Sequence, residues 1–242
     1  MIDITKLLKE NTYPGRGIIV GCCDNTKSIV ALYFIMGRSE NSRNRIFVKT
    51  DEGIRTEPFD PALMTNPELI IYNPVRRCSG HTIITNGDQT DTIYEFMSKG
   101  SDFRSALLTR EFEPDAPNYT PRISCLIKPD GSYALSILKT AIDHMATSRP
   151  ECCIRHFFEY SNAIPGLGHF ISTYQNDGNP LPSFIGEPIP IAVNISGDFK
   201  SYVHNIWAAL NNDNKVSIYG CEIDINNNLA NEIIINQLQG NF

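Results

Sequence analysis

Strand-length apolar segments recur along this chain in pairs, and a short turn sequence joins the two members of each pair. This pairing constrains the fold more than any other feature of the sequence. Four pairs occur, and each predicts a β-hairpin. Their segments are 18–23 with 28–36, 45–50 with 54–57, 69–75 with 81–85, and 123–127 with 133–138. Consecutive hairpins build antiparallel sheets, because each strand runs back along its neighbour.

Two helices are predicted between the third and fourth hairpins, at 89–99 and 103–111, with Asp102 as an N-cap. Helical patterns also cover 3–10 and 199–210. Later strand candidates are 153–158, 169–174, 189–195 and 216–225, and Asn226-Asn227-Asn228 has the composition of a turn. No repeat or low-complexity linker divides the chain. We therefore expect residues 1–242 to form a single α+β domain in which antiparallel sheets and helices pack in layers.

Composition excludes several classes of protein. The chain has 242 residues, a net charge of -6 and 41% hydrophobic content, which is typical of a soluble globular protein. It has no long basic run of the kind that binds nucleic acid, and no apolar run near the ~18 residues of a membrane span. We therefore expect neither nucleic acid nor a membrane as a partner. The first residues lack the cationic start and apolar centre of a signal peptide, so no such segment is expected.

The cysteines and histidines form no metal-binding pattern. The seven cysteines are odd in number and lie mostly in apolar segments, which favours reduced thiols in a cytoplasmic protein. Neither Cys-x-x-Cys nor His-Glu-x-x-His occurs, so no metal is expected. The five histidines, at positions 81, 144, 156, 169 and 204, are better explained as structural or surface groups.

A dense polar segment joins a predicted strand to a predicted helix. The strand 81–85 meets a turn at Asn86-Gly87, and Thr90, Asp91 and Thr92 open the helix. These residues either cap the helix after a tight turn or present polar groups to a ligand. A second dense segment, 113–122, leads into the strand 123–127. It is either a proline-ordered acidic loop or a source of carboxylates for acid–base chemistry.

Arginines gather near the start of the second hairpin. Arg38, Arg43 and Arg45 lie within eight residues, with Ser39 among them. Arg43 and Arg45 would share one face of a strand, and their guanidinium groups match phosphate oxygens. The alternative is an exposed basic edge strand. Arg16 stands between Gly15 and Gly17, where the small neighbours would let the backbone approach a ligand.

Taken together, these segments resemble the archaeal-type IMP cyclohydrolase family. The shared features are the early Gly-Arg, the Arg/Ser/Asn-rich strand start, the Tyr-Asn after an Asn-Pro, the Asn-Gly-x-x-Thr-Asp-Thr junction and an acidic segment that ends in Asn-Thr-Pro-Arg in the family. All five occur here in the same order, most densely over 13–139, and the resemblance returns at 171–174. Two regions depart from it. Tyr119 separates Asn118 from Thr120, and residues 141–168 lack a clear counterpart.

The resemblance implies a fold and an activity. The fold would be a four-layer α-β-β-α sandwich of antiparallel sheets, like that of the N-terminal-nucleophile hydrolases but without the N-terminal nucleophile. The activity would be closure of the purine ring of 5-formamidoimidazole-4-carboxamide ribonucleotide to give IMP and water. It implies a phosphorylated imidazole or purine nucleotide as the partner, no cofactor, and a homo-oligomer.

The resemblance also implies the site residues. Glu113 is the first candidate for proton transfer and Asp91 the second. Arg122 would donate to the formyl oxygen or hold the carboxylate in place, and a carboxylate near arginine stays ionised. Tyr72 is the fourth catalytic candidate, and Tyr72-Asn73-Pro74 is expected to end a strand. The implied substrate-binding residues are Arg16, Arg38, Ser39, Arg43, Arg45, Asn73, Asn86, Thr90, Thr92, Asn118 and Tyr174.

Two other functions remain open at this stage. One is a purine-nucleotide-binding protein that has kept the phosphate site and lost catalysis. The other is an amidohydrolase of the same fold, which needs a chain that begins with Ser, Thr or Cys after processing. Cys22-Cys23 is not preceded by an evident cleavage site, and this argues against the amidohydrolase.

Overall fold

The strands of the computed structural model form two antiparallel sheets, one of six strands and one of seven. The structure describes residues 1–24, 28–64, 70–141, 150–195, 198–224 and 229–239. The hairpin turn at 25–27, residue 69, His144 and the turn at 226–228 lie outside the described residues. The α+β class predicted from the sequence is confirmed.

Each sheet has a simple neighbour order. From edge to edge, the six-stranded sheet contains β11 (Ile189–Ala192), β10 (Leu167–Ser172), β1 (Arg16–Cys22), β2 (Ile29–Met36), β12 (Lys215–Ile223) and β13 (Leu229–Asn236). The seven-stranded sheet contains β3 (Arg45–Thr50), β4 (Gly53–Pro58), β5 (Val75–Cys78), β6 (His81–Thr85), β7 (Arg122–Ile127), β8 (Tyr133–Thr140) and β9 (Cys153–Tyr160). The seven-stranded sheet thus follows chain order, whereas β1 and β2 lie in the middle of the other.

Five α-helices accompany the sheets in the described ranges. They are α1 (Ile4–Glu10), α2 (Glu40–Arg43), α3 (Gln89–Ser98), α4 (Phe103–Leu108) and α5 (Phe199–Ala209), and a 3-10 turn covers Pro61–Leu63. Aspartates begin three of them, because the side chains of Asp3, Asp102 and Asp198 accept hydrogen bonds from backbone N–H groups of the first turn. None of the described helices has the length and apolarity needed to cross a membrane.

Alternation along the strands sorts the apolar side chains into separate clusters. Ile18 and Val20 of β1 belong to a buried cluster that also contains Phe47 of β3 and Ile123 of β7, so this cluster joins the two sheets. Ile19 points to the opposite face and packs in another cluster. Because β2 is buried on both faces, it is an unbroken apolar run rather than an alternating one.

The helices cover the outward side chains of each sheet. Leu8 of α1 and Val203 of α5 share a cluster with Leu32 of the six-stranded sheet. Ile93 of α3 and Leu107 of α4 share a third cluster with side chains of the seven-stranded sheet. The amphipathic patterns that predicted α1, α3, α4 and α5 therefore mark the faces that are buried.

Two local predictions are wrong. The strand expected over 69–75 is absent from residues 70–74. The strand β5 begins at Val75, so Pro74 precedes this strand instead of ending one. Pro74 has no N–H to offer a ladder, and the backbone N–H of Tyr72 donates instead to the Thr56 hydroxyl at 2.9 Å. Arg43 and Arg45 also do not share a strand, because Arg43 ends α2 and Arg45 begins β3.

Candidate functional site

Charged and polar side chains from several separate segments meet beside the first residues of β1 and β3. Besides these two strand starts, the segments are β2, the residues before β5, the junction between β6 and α3, the loop 113–121 with the first residue of β7, and the residues after β10. We call the group the buried polar cluster; its members are Arg16, Tyr33, Arg45, Tyr72, Asn86, Gln89, Glu113, Arg122 and Tyr174. All are less than 10% exposed except Arg16, whose side chain is 13% exposed.

Glu113 is the carboxylate of the cluster and is 3% exposed. Its Oε2 lies 3.8 Å from Nη2 of Arg16, and its Oε1 accepts a 3.3 Å hydrogen bond from the Asn86 side chain. Burial raises the pKa of Glu113 above its ordinary value, while Arg16 and Arg122 act to lower it. Burial outweighs the arginines, so Glu113 is a stronger base than a solvated glutamate, in contrast to the simple ionised pair expected from the sequence.

Asn86 joins the junction to the loop 113–121. Its amide nitrogen also donates to the Pro121 carbonyl at 2.9 Å, and its oxygen accepts from the backbone N–H of Ile123 at 2.8 Å. Gln89 donates to the Asn86 oxygen at 3.0 Å and accepts from Nη1 of Arg122 at 2.6 Å. Asn86 and Gln89 thus fix Arg122 relative to Glu113.

Arg122 retains donor capacity after these bonds. Its Nη1 also lies 2.7 Å from Oδ1 of Asp88, which is half exposed. Its Nε is buried and has no hydrogen-bond partner among the described residues. A buried donor without an acceptor costs stability, so an acceptor from a ligand would be well matched here.

Arg16 is held by close packing of the backbone around it. Gly15 has φ 77°, and a Cβ there would lie 2.3 Å from Oγ1 of Thr173; a Cβ at Gly17 would lie 2.2 Å from the Phe34 ring. The flanking glycines therefore serve packing against the protein rather than a ligand's approach. The buried Nε of Arg16 has no partner in the described part of the chain. Burial lowers its pKa, but Glu113 and the nearby tyrosines raise it to a higher final value.

Arg45 is the largest fully buried side chain described, at 2% exposed. Its Nε donates to the Ser42 carbonyl at 2.8 Å. None of the ion pairs found among the described residues includes Arg45. Burial and the positive charge of Arg16 both lower its pKa. Arg45 thus carries a buried positive charge that no carboxylate contacts directly among the described residues.

Tyr72 and Tyr174 line the same region. The Tyr72 hydroxyl lies 2.8 Å from the Tyr33 hydroxyl. The Tyr174 hydroxyl lies 2.6 Å from Oγ1 of Thr120, which donates to Asp115. Burial raises the pKa of both Tyr72 and Tyr174, so both are protonated phenols at neutral pH.

Five of the predicted binding residues make their hydrogen bonds elsewhere in the protein. Arg38 donates to Asp177 at 2.7 Å and to the Gly178 carbonyl at 2.8 Å. Ser39 caps α2, and exposed Arg43 donates to the Gly37 carbonyl at 3.0 Å. Asn118 accepts from the backbone N–H of Leu181 at 3.4 Å, and Thr90 lies 2.6 Å from the Thr85 hydroxyl.

Asp91, Asn73 and Thr92 also lie apart from Glu113. Asp91 accepts from Asn73 at 3.1 Å and from Arg76 at 2.9 Å, in a surface cleft of about 470 Å³. Thr92 accepts from Arg110 at 3.4 Å. The Asn-Gly-x-x-Thr-Asp-Thr junction therefore divides: Asn86 faces the buried polar cluster and Asp91 faces the cleft.

Sequence reasoning missed Tyr33, Gln89 and Asp88. Gln89 and Asp88 occupy the two variable positions of the junction motif, so the motif itself drew no attention to them. Tyr33 lies in an apolar strand, where the one signal was a hydroxyl in a segment predicted to be buried on both faces. No group of three or more His, Cys, Asp or Glu side chains in the described ranges is arranged to hold a metal ion.

The fold and the site define an α+β protein with a buried, cation-rich polar centre. The sequence profile of a family described as "IMP cyclohydrolase-like protein" matches residues 13–228, and the chain belongs to that family. It is 32% identical over 131 residues to an IMP cyclohydrolase of Halobacterium salinarum, covering 52% of this chain and 63% of that protein.

Two further relatives are also IMP cyclohydrolases. An IMP cyclohydrolase of Haloquadratum walsbyi is 29% identical over 169 residues, 68% of this chain and 72% of that protein. One of Methanococcus maripaludis is 34% identical over 126 residues, 50% of this chain and 61% of that protein. The matched region thus spans less than two thirds of the Halobacterium and Methanococcus proteins.

Proposed function

We propose that this protein is an IMP cyclohydrolase that closes the purine ring of 5-formamidoimidazole-4-carboxamide ribonucleotide, giving IMP and water. The observation that carries the proposal is the excess of buried positive charge around Glu113. Buried Arg45 forms no ion pair with a carboxylate among the described residues, and Nη2 of Arg16 lies 3.8 Å from Oε2 of Glu113. A buried charge without a counterion is costly, so the site is built for an anion that arrives with the ligand.

A nucleotide 5′-phosphate supplies the missing negative charge. Arg45 presents a guanidinium fork suited to phosphate oxygens, and it is held at the start of β3 by Ser42. We assign the phosphate to Arg45, with Arg16 between the phosphate and Glu113. Arg38, Ser39 and Arg43 stay predictions as substrate contacts; their bonds to the protein favour a supporting role.

Glu113 would move the proton that ring closure releases. The carboxamide nitrogen attacks the formyl carbon and forms the new N–C bond, and the formyl oxygen takes up charge. The carboxamide nitrogen loses one proton and the former formamide nitrogen loses a second. Both protons go to the oxygen, which departs as water as its bond to carbon breaks and the ring C=N bond forms. The raised pKa of Glu113 suits a base that accepts a proton from nitrogen and passes it to the leaving oxygen.

Neighbouring donors would stabilise the developing charge. Arg122 has an unpaired Nε, and Asn86 and Gln89 hold its guanidinium in place. Because both reacting groups belong to one substrate, fixing its conformation supplies much of the rate enhancement. Asp91, Asn73, Thr90, Thr92, Asn118 and Tyr174 stay predictions, with Tyr174 the one of them inside the buried polar cluster.

The wider expectations belong to the same proposal. The cluster that joins both sheets and the two clusters under the helices support a four-layer α-β-β-α sandwich. We expect a single domain, a homo-oligomer and a cytoplasmic enzyme, since the substrate is a phosphorylated metabolite. No cofactor is required by the reaction.

Incubation with the formamido nucleotide, followed by ultraviolet absorbance, tests the proposal. The protein should produce IMP, and Glu113→Gln should lower kcat by ~10²-fold while leaving IMP affinity nearly unchanged. Glu111→Gln, an exposed neighbour, is the matched control and should keep full activity. Binding of IMP without turnover by the unaltered protein would favour the non-catalytic nucleotide-binding protein instead.

A further inference from the structure

A second tyrosine lies directly behind Tyr72. Tyr33 of β2 is 0% exposed, and its ring stacks on Phe47 of β3 with a centroid distance of 5.7 Å. Phenylalanine would satisfy this apolar packing, so the hydroxyl needs its own explanation. Its hydrogen-bond partner is the Tyr72 hydroxyl at 2.8 Å.

Each of the two hydroxyls carries a proton, and the hydrogen bond between them uses only one of these protons. One O–H donates to the other oxygen, and the second O–H has no acceptor among the described side chains. The nearby Arg16 and Arg45 only donate, so neither can accept it. The second O–H is therefore available to an acceptor on a ligand.

The surroundings decide which hydroxyl faces the ligand. Tyr33 is 0% exposed and belongs to the apolar cluster between the sheets, whereas Tyr72 lies outside that cluster, on the segment before β5, and is 5% exposed. The charges of Arg16 and Arg45 act on both tyrosines, and the charge of Glu113 also acts on Tyr72. Its backbone is fixed by Thr56, which bonds the N–H and the carbonyl of Tyr72. Tyr33 therefore donates its hydroxyl proton to the Tyr72 oxygen, and Tyr72 donates its own hydroxyl proton toward the ligand.

We propose that Tyr33 is a positioning residue that holds the Tyr72 hydroxyl proton toward the formyl oxygen of the substrate during ring closure. This inference rests on the proposed function. Charge develops on that oxygen as the carboxamide nitrogen attacks, and a preoriented O–H donor stabilises it more in the transition state than in the ground state. Without Tyr33, the Tyr72 hydroxyl is free to rotate and loses its fixed direction.

A double-mutant cycle on kcat tests the proposal. Tyr72→Phe should lower kcat by ~10²-fold, and Tyr33→Phe should lower it by about 10-fold, the loss of one net hydrogen bond. In the Tyr72→Phe background, Tyr33→Phe should change kcat by less than about 2-fold, because its effect passes through the missing hydroxyl. IMP affinity of Tyr33→Phe should stay unchanged.

Tyr202→Phe is the matched control. Tyr202 is a buried tyrosine of α5 whose hydroxyl has no partner in the part of the chain described, and it lies outside the buried polar cluster. It should keep the unaltered kcat. Equal losses of kcat from Tyr33→Phe in both backgrounds would overturn the positioning role. Weaker IMP binding of Tyr33→Phe with a normal kcat would also overturn it, because the Tyr72 hydroxyl would then donate to the phosphate. An inactive unaltered protein would overturn the proposed function itself and this role with it, whereas an active protein indifferent to Tyr33→Phe overturns the role alone.

Discussion

At the scale of single residues, the site is distinguished by which charges lack partners. Arg38 and Arg43 carry the same guanidinium group as Arg45, but Arg38 pairs with Asp177, and exposed Arg43 donates to a carbonyl. Arg45 is buried, and none of the ion pairs in the described ranges includes it. A guanidinium that costs stability in the free protein is retained when a ligand repays that cost on binding.

Arg45→Met should therefore separate stability from binding. Removing the uncompensated buried charge should raise the free energy of unfolding by on the order of 1 kcal/mol, because methionine fills a similar volume without a desolvation cost. IMP affinity should fall by about 10- to 100-fold, the loss of a charge-assisted bond. Thermal unfolding and calorimetric titration measure both quantities. Arg43→Met is the control and should change neither; a destabilised Arg45→Met with normal affinity would contradict the phosphate assignment.

The pH dependence of kcat/KM should report the pKa of Glu113. A base must be ionised, so activity should rise with pH through this pKa, and burial places the limb above the ordinary 4.5. The negative charge of Asp115 acts to raise the pKa of Glu113, so Asp115→Asn should move the limb to lower pH. Rate profiles from pH 4 to 8 check the direction. An unmoved limb would assign it to another group, and abolished activity would point to Asp115 as the base.

Sequence patterns identified members of the buried polar cluster more reliably than they predicted the contacts that those residues make. Hairpin spacing located Arg45 and Arg122 at strand starts, yet a four-residue helix capped by Ser39 broke the expected Arg43–Arg45 pair. In the junction, Thr90 and Asp91 are about 100° apart around α3, so one faces Thr85 inside and the other Arg76 outside. Which of two adjacent residues faces a site depends on the helix's rotation against the sheet, and that rotation is set by packing.

At the scale of elements, the sheets also meet at a second polar contact. The Tyr133 hydroxyl of β8 forms a hydrogen bond with Nδ1 of His169 on β10 at 2.7 Å, and Tyr160 of β9 stacks on the same imidazole at a centroid distance of 3.9 Å. Burial disfavours the charged imidazolium and lowers the pKa of His169 below its ordinary 6.5. Protonation of His169 should therefore weaken this contact between the sheets.

Acidification should weaken the protein through His169. Because the folded-state pKa is lower than the unfolded value, the unfolded state binds the proton more readily. The contribution is fully present above pH 6.5 and is lost as pH falls toward the folded-state pKa. Urea unfolding at pH 7.5 and 5.5 should show a larger loss for the unaltered protein than for His169→Gln. Exposed His204→Gln should behave like the unaltered protein, and equal losses in all three would contradict this role.

At the scale of the whole molecule, the site is assembled from both sheets. Arg16 and Tyr33 belong to strands of the six-stranded sheet, and Arg45 and Arg122 begin strands of the seven-stranded one. The cluster between the sheets brings these four side chains together, so the site exists only while the sheets are packed. A ligand that contacts residues from both sheets should therefore stabilise global folding rather than a single loop.

IMP should consequently raise the free energy of unfolding in a way that depends on its phosphate. At 100 times its dissociation constant, a ligand specific for the folded state adds ~2.7 kcal/mol. Urea unfolding in a phosphate-free buffer should show this shift with IMP and a much smaller one with inosine at the same concentration, because inosine brings no charge to Arg45. The IMP shift should persist in Arg43→Met and fall to about 0.4–1.4 kcal/mol in Arg45→Met at that concentration. Equal shifts from IMP and inosine would show that the buried arginines do not bind the phosphate, and an undiminished shift in Arg45→Met would assign the phosphate to another cation.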